Sequence, residues 1–459
     1  MHLSEYRLDI DDYILPHKLS ITKAIATETT QTNIRVFMFI IRGSFLQVTF
    51  SLTVKLVRIY LWTIRYNYLL NKILHTYLIL SSLLMRLNHL RYQDPDTKTY
   101  LSSPSITRLP DGNILATHDY FGADSPVNHE GMQHLTSVYR SKDHGNTWDN
   151  ITHISGAFWS TLFVHLDRVY LLGTSQEWGS IVIRRSDNGG LMWTDPKDIA
   201  TGLLFKAGPN QNIPNYHCGA TPVLNAQGRL YKGFENLVTN DNGDATLEAF
   251  VISVSENDDL LDGSKWTMTN KLKLNSQSFS KSSEFQNDLT WREGNIVKAP
   301  NGEIWDILRV NPGNQLDKAA VIKVHHDYNH ISFDLETGFI PFPGAATKFT
   351  IRRDEITGSY WTLSNGNINS SFPTRRSILS LYKSQDLLSW DHMAILLQDD
   401  TGLSSEDAVR LTGFQYVDWQ FDGNDIIYLV RTAYDGAPNY HDSNRITFHK
   451  VRDFREISQ

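Results

Sequence analysis

The chain has 459 residues, a formal net charge of −7 and one cysteine, Cys218. One thiol cannot build an intramolecular disulfide framework or a cysteine zinc site, and a mildly acidic balance argues against nucleic acid as a partner. The 11 Trp, 20 Tyr and 21 Phe favour strands and carbohydrate-facing surfaces.

The first 95 residues stand apart. Between Thr29 and Tyr92 there is no Asp or Glu, against eight basic residues (Arg35, Arg42, Lys55, Arg58, Arg65, Lys72, Arg86, Arg91). From residue 93 onward, 32 basic residues face 45 acidic ones, a net of −13. The basic stretch is strongly apolar from Ser44 to Val54 and from Ile73 to Met85, yet no uncharged apolar run reaches the ~18 residues of a membrane span. A signal peptide would set its apolar core nearer the N-terminus. Residues 1–95 therefore read as a poor membrane anchor, a basic amphipathic membrane-surface helix, or sequence outside the folded product through an incorrect start or intron. The last is preferred, because the turn residues seen everywhere later are missing. Membrane association is open only through residues 29–93, and a secreted or membrane-associated location follows only if that segment is real. On a secreted chain Asn150-Ile151-Thr152 and Asn369-Ser370-Ser371 are glycosylation acceptors.

From residue 96 to 459 a repeat appears. Short apolar strands flank a polar turn six times, at Asp111-Gly112, Asp167-Arg168, Gln227-Gly228, Asn301-Gly302, Thr357-Gly358 and Asp422-Gly423. Asp/Asn-Gly between strands is the strongest short hairpin signal. Four units add a second turn. It is clearest in Ser141-Lys142-Asp143-His144-Gly145-Asn146-Thr147-Trp148, repeats from Ser186 to Trp193, loses a residue from Ser384 to Trp390, and is most degenerate from Ser255 to Trp266. Ser and Asp side chains bond back to the turn, Gly supplies positive φ, and Trp packs beside the hairpin. An inner hairpin followed by an outer one, six times, predicts an all-β chain: a six-bladed β-propeller of four-stranded blades at 96–459. A β-sandwich or β-helix would not set a Trp turn after each inner hairpin.

The Ser-x-Asp-x-Gly-x-Thr-Trp pattern is the Asp-box, and residues 96–459 resemble the sialidase superfamily. The resemblance implies a retaining exo-glycosidase in which three arginines hold a substrate carboxylate, a Tyr–Glu pair serves as nucleophile and base, and a loop Asp is general acid. That chemistry is sound: tyrosine attacks well only if a carboxylate takes its proton, and a neutral attacker avoids repulsion with an anionic sugar. In Trp291-Arg292-Glu293, followed by a Gly turn and Arg309, the likeness makes Glu293 the base and Arg309 a clamp arginine. Phe414-Gln415-Tyr416, ahead of the Gly423 turn, makes Tyr416 the nucleophile. Arg376, with Arg375 the close alternative, is the arginine upstream of the Ser384 turn. The pattern breaks at Tyr100-Leu101-Ser102, where Ser102 stands in place of the first arginine. In His118-Asp119 and Ala123-Asp124-Ser125-Pro126, Asp124 is first choice for the acid and Asp119 second, with His118 beside it.

Other strand-end residues include Glu177-Trp178, Tyr216-His217, Phe234-Glu235-Asn236, Lys348, Arg431 and Tyr434. They fall just before or after the inner turns and suggest a polar, aromatic cup for a sugar, with His118, Arg431 and Tyr434 as substrate contacts. No cofactor and no metal are expected: His217-Cys218 and His118-Asp119 lack ligand spacing, and Asn240–Asp244 lacks an ordered calcium pattern. The partner is a glycan or glycoconjugate. Two other readings stay open: a propeller that binds glycans or proteins without turnover, and a glycosidase for a non-sialic sugar because of Ser102.

Overall fold

Each of the six polar turns closes a hairpin, and each hairpin grows into an antiparallel sheet. The computed structural model describes residues 88–239, 243, 245–274, 290–311, 317–366 and 375–457, with three short strands nearer the N-terminus. The Asn369-Ser370-Ser371 triplet and most of Asn240–Asp244 and of residues 29–93 lie outside the described residues. The chain divides into two compact units, Met1–Leu83 and Leu84–Gln459. In the first, Ala24–Glu28, Arg35–Ile41 and Ser44–Phe45 pair antiparallel in that order. No helix among the described residues is long and apolar enough to cross a membrane.

The second unit is a six-bladed β-propeller. Blade one comprises Tyr100–Arg108, Ile114–Phe121, Leu135–Ser141 and Asp149–Ser155. Blade two comprises Phe158–His165, Arg168–Thr174, Ile181–Ser186 and Leu203–Phe205. Blade three is built on Leu224–Ala226, Arg229–Thr239 and Ala245–Ser255, and blade four on Thr290–Lys298, Ile304–Asn311 and Lys318–Val324, each with two short outer strands. Blade five comprises Thr350–Arg353, Tyr360–Ser364, Ile378–Ser384 and Asp391–Gln398. Blade six takes Gly413–Asp422, Asp425–Ala433 and Arg445–Val451 from the end of the chain. Its outer strand is His89–Tyr92, which precedes blade one, so the ring is closed by the two ends of this unit.

Hydrophobic burial follows the blades, one apolar cluster between each neighbouring pair. The Ser-to-Trp turns serve these interfaces. Trp148, Trp193, Trp266 and Trp390 each pack against the preceding blade, Trp148 meeting the Phe448 ring at 5.3 Å. Gly145 has φ +90°, and a Cβ there would fall 2.1 Å from the Phe448 ring, so turn geometry and interface both require glycine. In the shortened turn Leu387 takes the left-handed position instead, at φ 68°.

The inner strands carry a belt of polar side chains, each bonding to the next blade. The Leu162 N–H donates to Ser105 Oγ at 2.9 Å, Thr161 to the Thr221 carbonyl at 2.9 Å, and Thr221 to the Gly294 carbonyl at 2.8 Å. Asn295 accepts from the Ile351 N–H at 3.1 Å, Thr350 donates to the Val417 carbonyl at 2.7 Å, and Ser105 donates to Asp418 at 2.8 Å. Asp418 is fully buried and also accepts from the Ile106 and Trp419 N–H groups and from Arg352 at 3.2 Å. Asp418→Ala strands several buried donors and the Arg352 charge, and is expected to cost about 3–5 kcal/mol. The check is the urea midpoint; an unchanged midpoint would show that the belt does not secure the ring.

Candidate active site

Two residues before four of the six belt positions lies a special backbone site. Ser103, Trp159, Glu293 and Tyr416 all have positive φ there, at 42°, 49°, 60° and 53°. Strand register slips beside them, between Ser102 and Ser105, Arg292 and Asn295, and Gln415 and Asp418, and opposite Trp159 between Leu172 and Thr174. The matching positions in blades three and five are Gly219 and Lys348. A bulge lets a side chain leave the alternating pattern of its strand. Left-handed backbone costs about 1–3 kcal/mol for a non-glycine residue and gathers at functional sites. Four such residues at one level of one ring concentrate strained backbone there. Gly219 keeps the neighbouring space open, since a Cβ there would approach the Glu293 Cβ to 3.2 Å.

This level lies at the open ends of the inner hairpins, away from the Asp/Asn-Gly turns beside which the spacing suggests the cavity. In blade six Gln415 pairs with Arg431, while Asp422 and Asp425 close the far end. Glu293 and Arg309 form a buried ion pair, Oε2 to Nη1 at 3.0 Å, and Arg309 Nε donates to the Ala346 carbonyl at 3.0 Å. Burial would lower the Arg309 pKa, but Glu293 and the nearby Tyr416 raise it. Burial alone would raise the Glu293 pKa, but Arg309, His217 and Arg292 together hold it at about 2. Arg376 and Arg431 approach the Tyr416 ring to 5.8 and 4.8 Å. Sequence residues Tyr416, Glu293, Arg309, Arg376 and Arg431 thus meet in one cluster drawn from blades four, five and six.

Charge balance in the cluster is unusual. Arg376 is 5% and Arg431 3% exposed, yet neither makes an ion pair within 4.0 Å among the described residues. Arg376 donates to Gln415 Oε1, and its Nε has no partner among the described residues. Arg431 donates to Ser443 Oγ at 3.2 Å, to the His441 carbonyl at 2.6 Å, and through Nη1 to Ser102 Oγ at 3.2 Å. Burial lowers both guanidinium pKa values, that of Arg431 to about 10. Ser102, the residue that breaks the clamp pattern, is therefore the residue on which an arginine from another blade rests. Half-buried Phe121, Tyr416 and Tyr440 surround these groups with aromatic surface, and half-buried Trp159 and Trp178 lie against His217.

Blade one holds the expected acids differently. Asp119 is 1% exposed; Trp159 N–H donates to its Oδ2 at 2.7 Å, and Thr136 Oγ1 lies 2.5 Å from its Oδ1. That Thr hydroxyl also lies 2.8 Å from the Ala157 carbonyl, and with one proton it can donate to only one of them. A protonated Asp119 resolves the conflict, and burial indeed raises its pKa to about 8. Below an ordinary carboxyl value near 4 both states are protonated; above it the unfolded chain ionises while the folded one does not, so stability falls up to about pH 8. Asp119→Asn keeps the neutral donor–acceptor pattern, so its thermal midpoint is expected to gain on wild type between pH 5 and 8. A constant difference across that range would mean Asp119 is ionised in the fold.

His118 points the other way along the strand. It is 0% exposed, its ring nitrogens lie 3.1 Å from the Asp119 carbonyl and 3.2 Å from Tyr139 Oη, and burial lowers its pKa to about 3. It packs between blades one and six, apart from the arginine cluster. Asp124 is exposed on the following loop. Arg375 donates to Ser377 Oγ at 2.9 Å, and Tyr434 lies in the core of blades five and six with its hydroxyl on Asp400. The bonds of Arg375 and Tyr434 run to groups other than Tyr416 and Glu293, and Asp124 stands on the loop that follows Phe121. Trp159 and Ser103 were not legible as site residues. Their signal is a fixed offset from Thr161 and Ser105, which shows only once the belt is known.

The sequence matches no protein-family model and no curated protein. Solved structures do match. A mutant of the α-L-arabinofuranosidase of Fusarium graminearum, in complex with an iminosugar inhibitor, is 14% identical over 81% of this chain and 99% of that one, with a TM-score of 0.52. A Hadza microbial sialidase is 13% identical over 79% and 68%, TM-score 0.51. A Dyadobacter fermentans protein of unknown function is 12% identical over 79% and 97%, TM-score 0.50. At such identity the likeness establishes the fold alone, a six-bladed β-propeller.

Proposed function

We propose that this propeller is a retaining exo-glycosidase that removes a terminal acidic sugar from glycans. One observation carries the reading: two buried guanidiniums, Arg376 and Arg431, flank the Tyr416 ring with no carboxylate partner among the described residues. Leaving buried charge uncompensated costs several kcal/mol, roughly, so the cluster is built to receive an anion. Arginine forks fit a carboxylate. The sialidase and the arabinofuranosidase among the structural neighbours support a sugar substrate.

In this reading the sugar carboxylate sits among Arg309, Arg376 and Arg431. The Tyr416 oxygen bonds to the anomeric carbon while its proton passes to Glu293, and the bond from that carbon to the aglycone oxygen breaks with its electron pair left on the oxygen. Glu293 is a weak base while paired with Arg309. A substrate carboxylate that draws on Arg309 loosens that pair, so the anion activates the base that its own cleavage needs. Departure of the aglycone calls for a proton donor on the other face of the sugar. The Ser-to-Trp turns, by the bonds of Ser141 and Asp143 and of Ser186 and Asn188 to the turn backbone, we infer to be Asp-boxes.

The test is release of 4-methylumbelliferone by the full chain from N-acetylneuraminic acid, uronic acid and neutral arabinofuranose glycosides. Turnover confined to acidic sugars supports the clamp. Preference for the neutral sugar would replace it with a neutral-sugar glycosidase, and silence on all of them would favour a glycan-binding propeller.

A further inference from the structure

A second set of buried polar groups borders the cluster. In blade three the His217 Nδ1 lies 2.8 Å from Glu235 Oε2, and the two residues form a backbone bridge. Glu235 is 0% exposed and its other oxygen accepts from the Gly294 N–H at 3.2 Å, next to Glu293. Both of its oxygens are thus committed, and one fixes the imidazole. The ring is held against Trp159 and Trp178 at centroid distances of 4.3 and 5.2 Å. With Nδ1–H given to Glu235, Nε2 is the atom left to exchange a proton, and it has no hydrogen bond among the described residues. His217 is 7% exposed and lies against the aromatic side of the cup.

Resting on the glycosidase reading above, we propose that His217, oriented by Glu235, is the general acid and base of the reaction. In the first step Nε2–H passes its proton to the aglycone oxygen as the bond from that oxygen to the anomeric carbon breaks. The bonding pair stays on the oxygen, while Tyr416 bonds to carbon and gives its proton to Glu293. In the second step Nε2 takes a proton from water. The water oxygen bonds to the anomeric carbon, the Tyr416–carbon bond breaks, and Glu293 returns the proton to Tyr416. A carboxylate holding the far nitrogen of a proton-transferring imidazole sets tautomer and direction.

The carboxyls of blade one fit this role less well. Asp119 has both oxygens engaged beneath Trp159, and Asp124 is exposed. The other acids facing His217 are Glu293, already paired with Arg309, and Glu177, half-buried beside Trp178.

The experiment compares 4-nitrophenyl and methyl glycosides of N-acetylneuraminic acid, or of whichever panel sugar the wild type cleaves best. A good leaving group needs no proton; a methoxide does. His217→Gln is expected to lower kcat/KM on the methyl glycoside by about 10²–10⁴ and on the nitrophenyl glycoside by less than about tenfold. Glu235→Gln should move the ratio of the two the same way by less, as a positioning residue. Asp124→Asn and Glu177→Gln should leave it unchanged. The ratio within one preparation does not depend on how much protein is folded. A wild-type ratio in His217→Gln, or a raised ratio in Asp124→Asn or Glu177→Gln, overturns the His217 role while leaving the glycosidase standing. No wild-type turnover on any sugar overturns both.

Discussion

Tyr416→Phe is expected to lower kcat/KM on the best aryl glycoside by a factor on the order of 10³ or more, as loss of a nucleophile does. The change removes one oxygen and keeps the ring against which Arg376 and Arg431 lie at 5.8 and 4.8 Å. Binding of the sugar and the thermal midpoint should therefore hold while turnover collapses. A fluorinated substrate analogue that slows the second step should leave wild type heavier by one sugar, with the mass on the peptide that contains Tyr416. Label on any other residue would move the nucleophile, and full activity in the variant would remove the tyrosine mechanism altogether. The left-handed backbone at Tyr416 adds a control: φ 53° is strained for any side chain with a Cβ, so Phe inherits the conformation.

Local chemistry explains how far the sequence could be read. Turns are written in a few adjacent residues, and all six Asp/Asn-Gly-type hairpins stand where the spacing put them, which is enough to give six blades. Closure by His89–Tyr92 is not local: the strand pairs with Arg445–Val451, more than 350 residues away, and nothing in its four residues names that partner. The same division runs through the site. Glu293 and Arg309 lie on one hairpin, so a single local segment holds both. Arg431 and Ser102 lie 329 apart in the chain, so the serine read as a lost arginine and not as a seat for another. Nor is the bulge at Trp159 written in residue type, because Trp does not favour left-handed backbone; the ring imposes it. Asp119 and His118 show the converse limit: adjacent polar residues on a strand face opposite sides, and only packing decides which side holds the cavity.

Arg431→Ser should weaken an acidic glycoside far more than a neutral one. Removing one partner of a buried charge contact costs about 2–5 kcal/mol, roughly 30-fold to several thousand-fold, and most of it should appear in KM. The double variant Ser102→Arg/Arg431→Ser sharpens the point. Arg431 Nη1 already lies 3.2 Å from Ser102 Oγ, so an arginine rooted in blade one can bring its guanidinium to nearly the same place. That double variant is expected to regain a measurable part of the affinity lost in Arg431→Ser, while Ser102→Arg alone crowds two positive charges and loses binding. Its geometry also leaves Ser443 Oγ and the His441 carbonyl without the Arg431 donors, which is why recovery should be partial. Equal losses on acidic and neutral sugars in Arg431→Ser would mean that the guanidinium holds the rim through those two groups and takes no part in the anion site. Recovery confined to acidic sugars would mean that the first arginine of the clamp has moved from one blade to its neighbour while keeping its place in space.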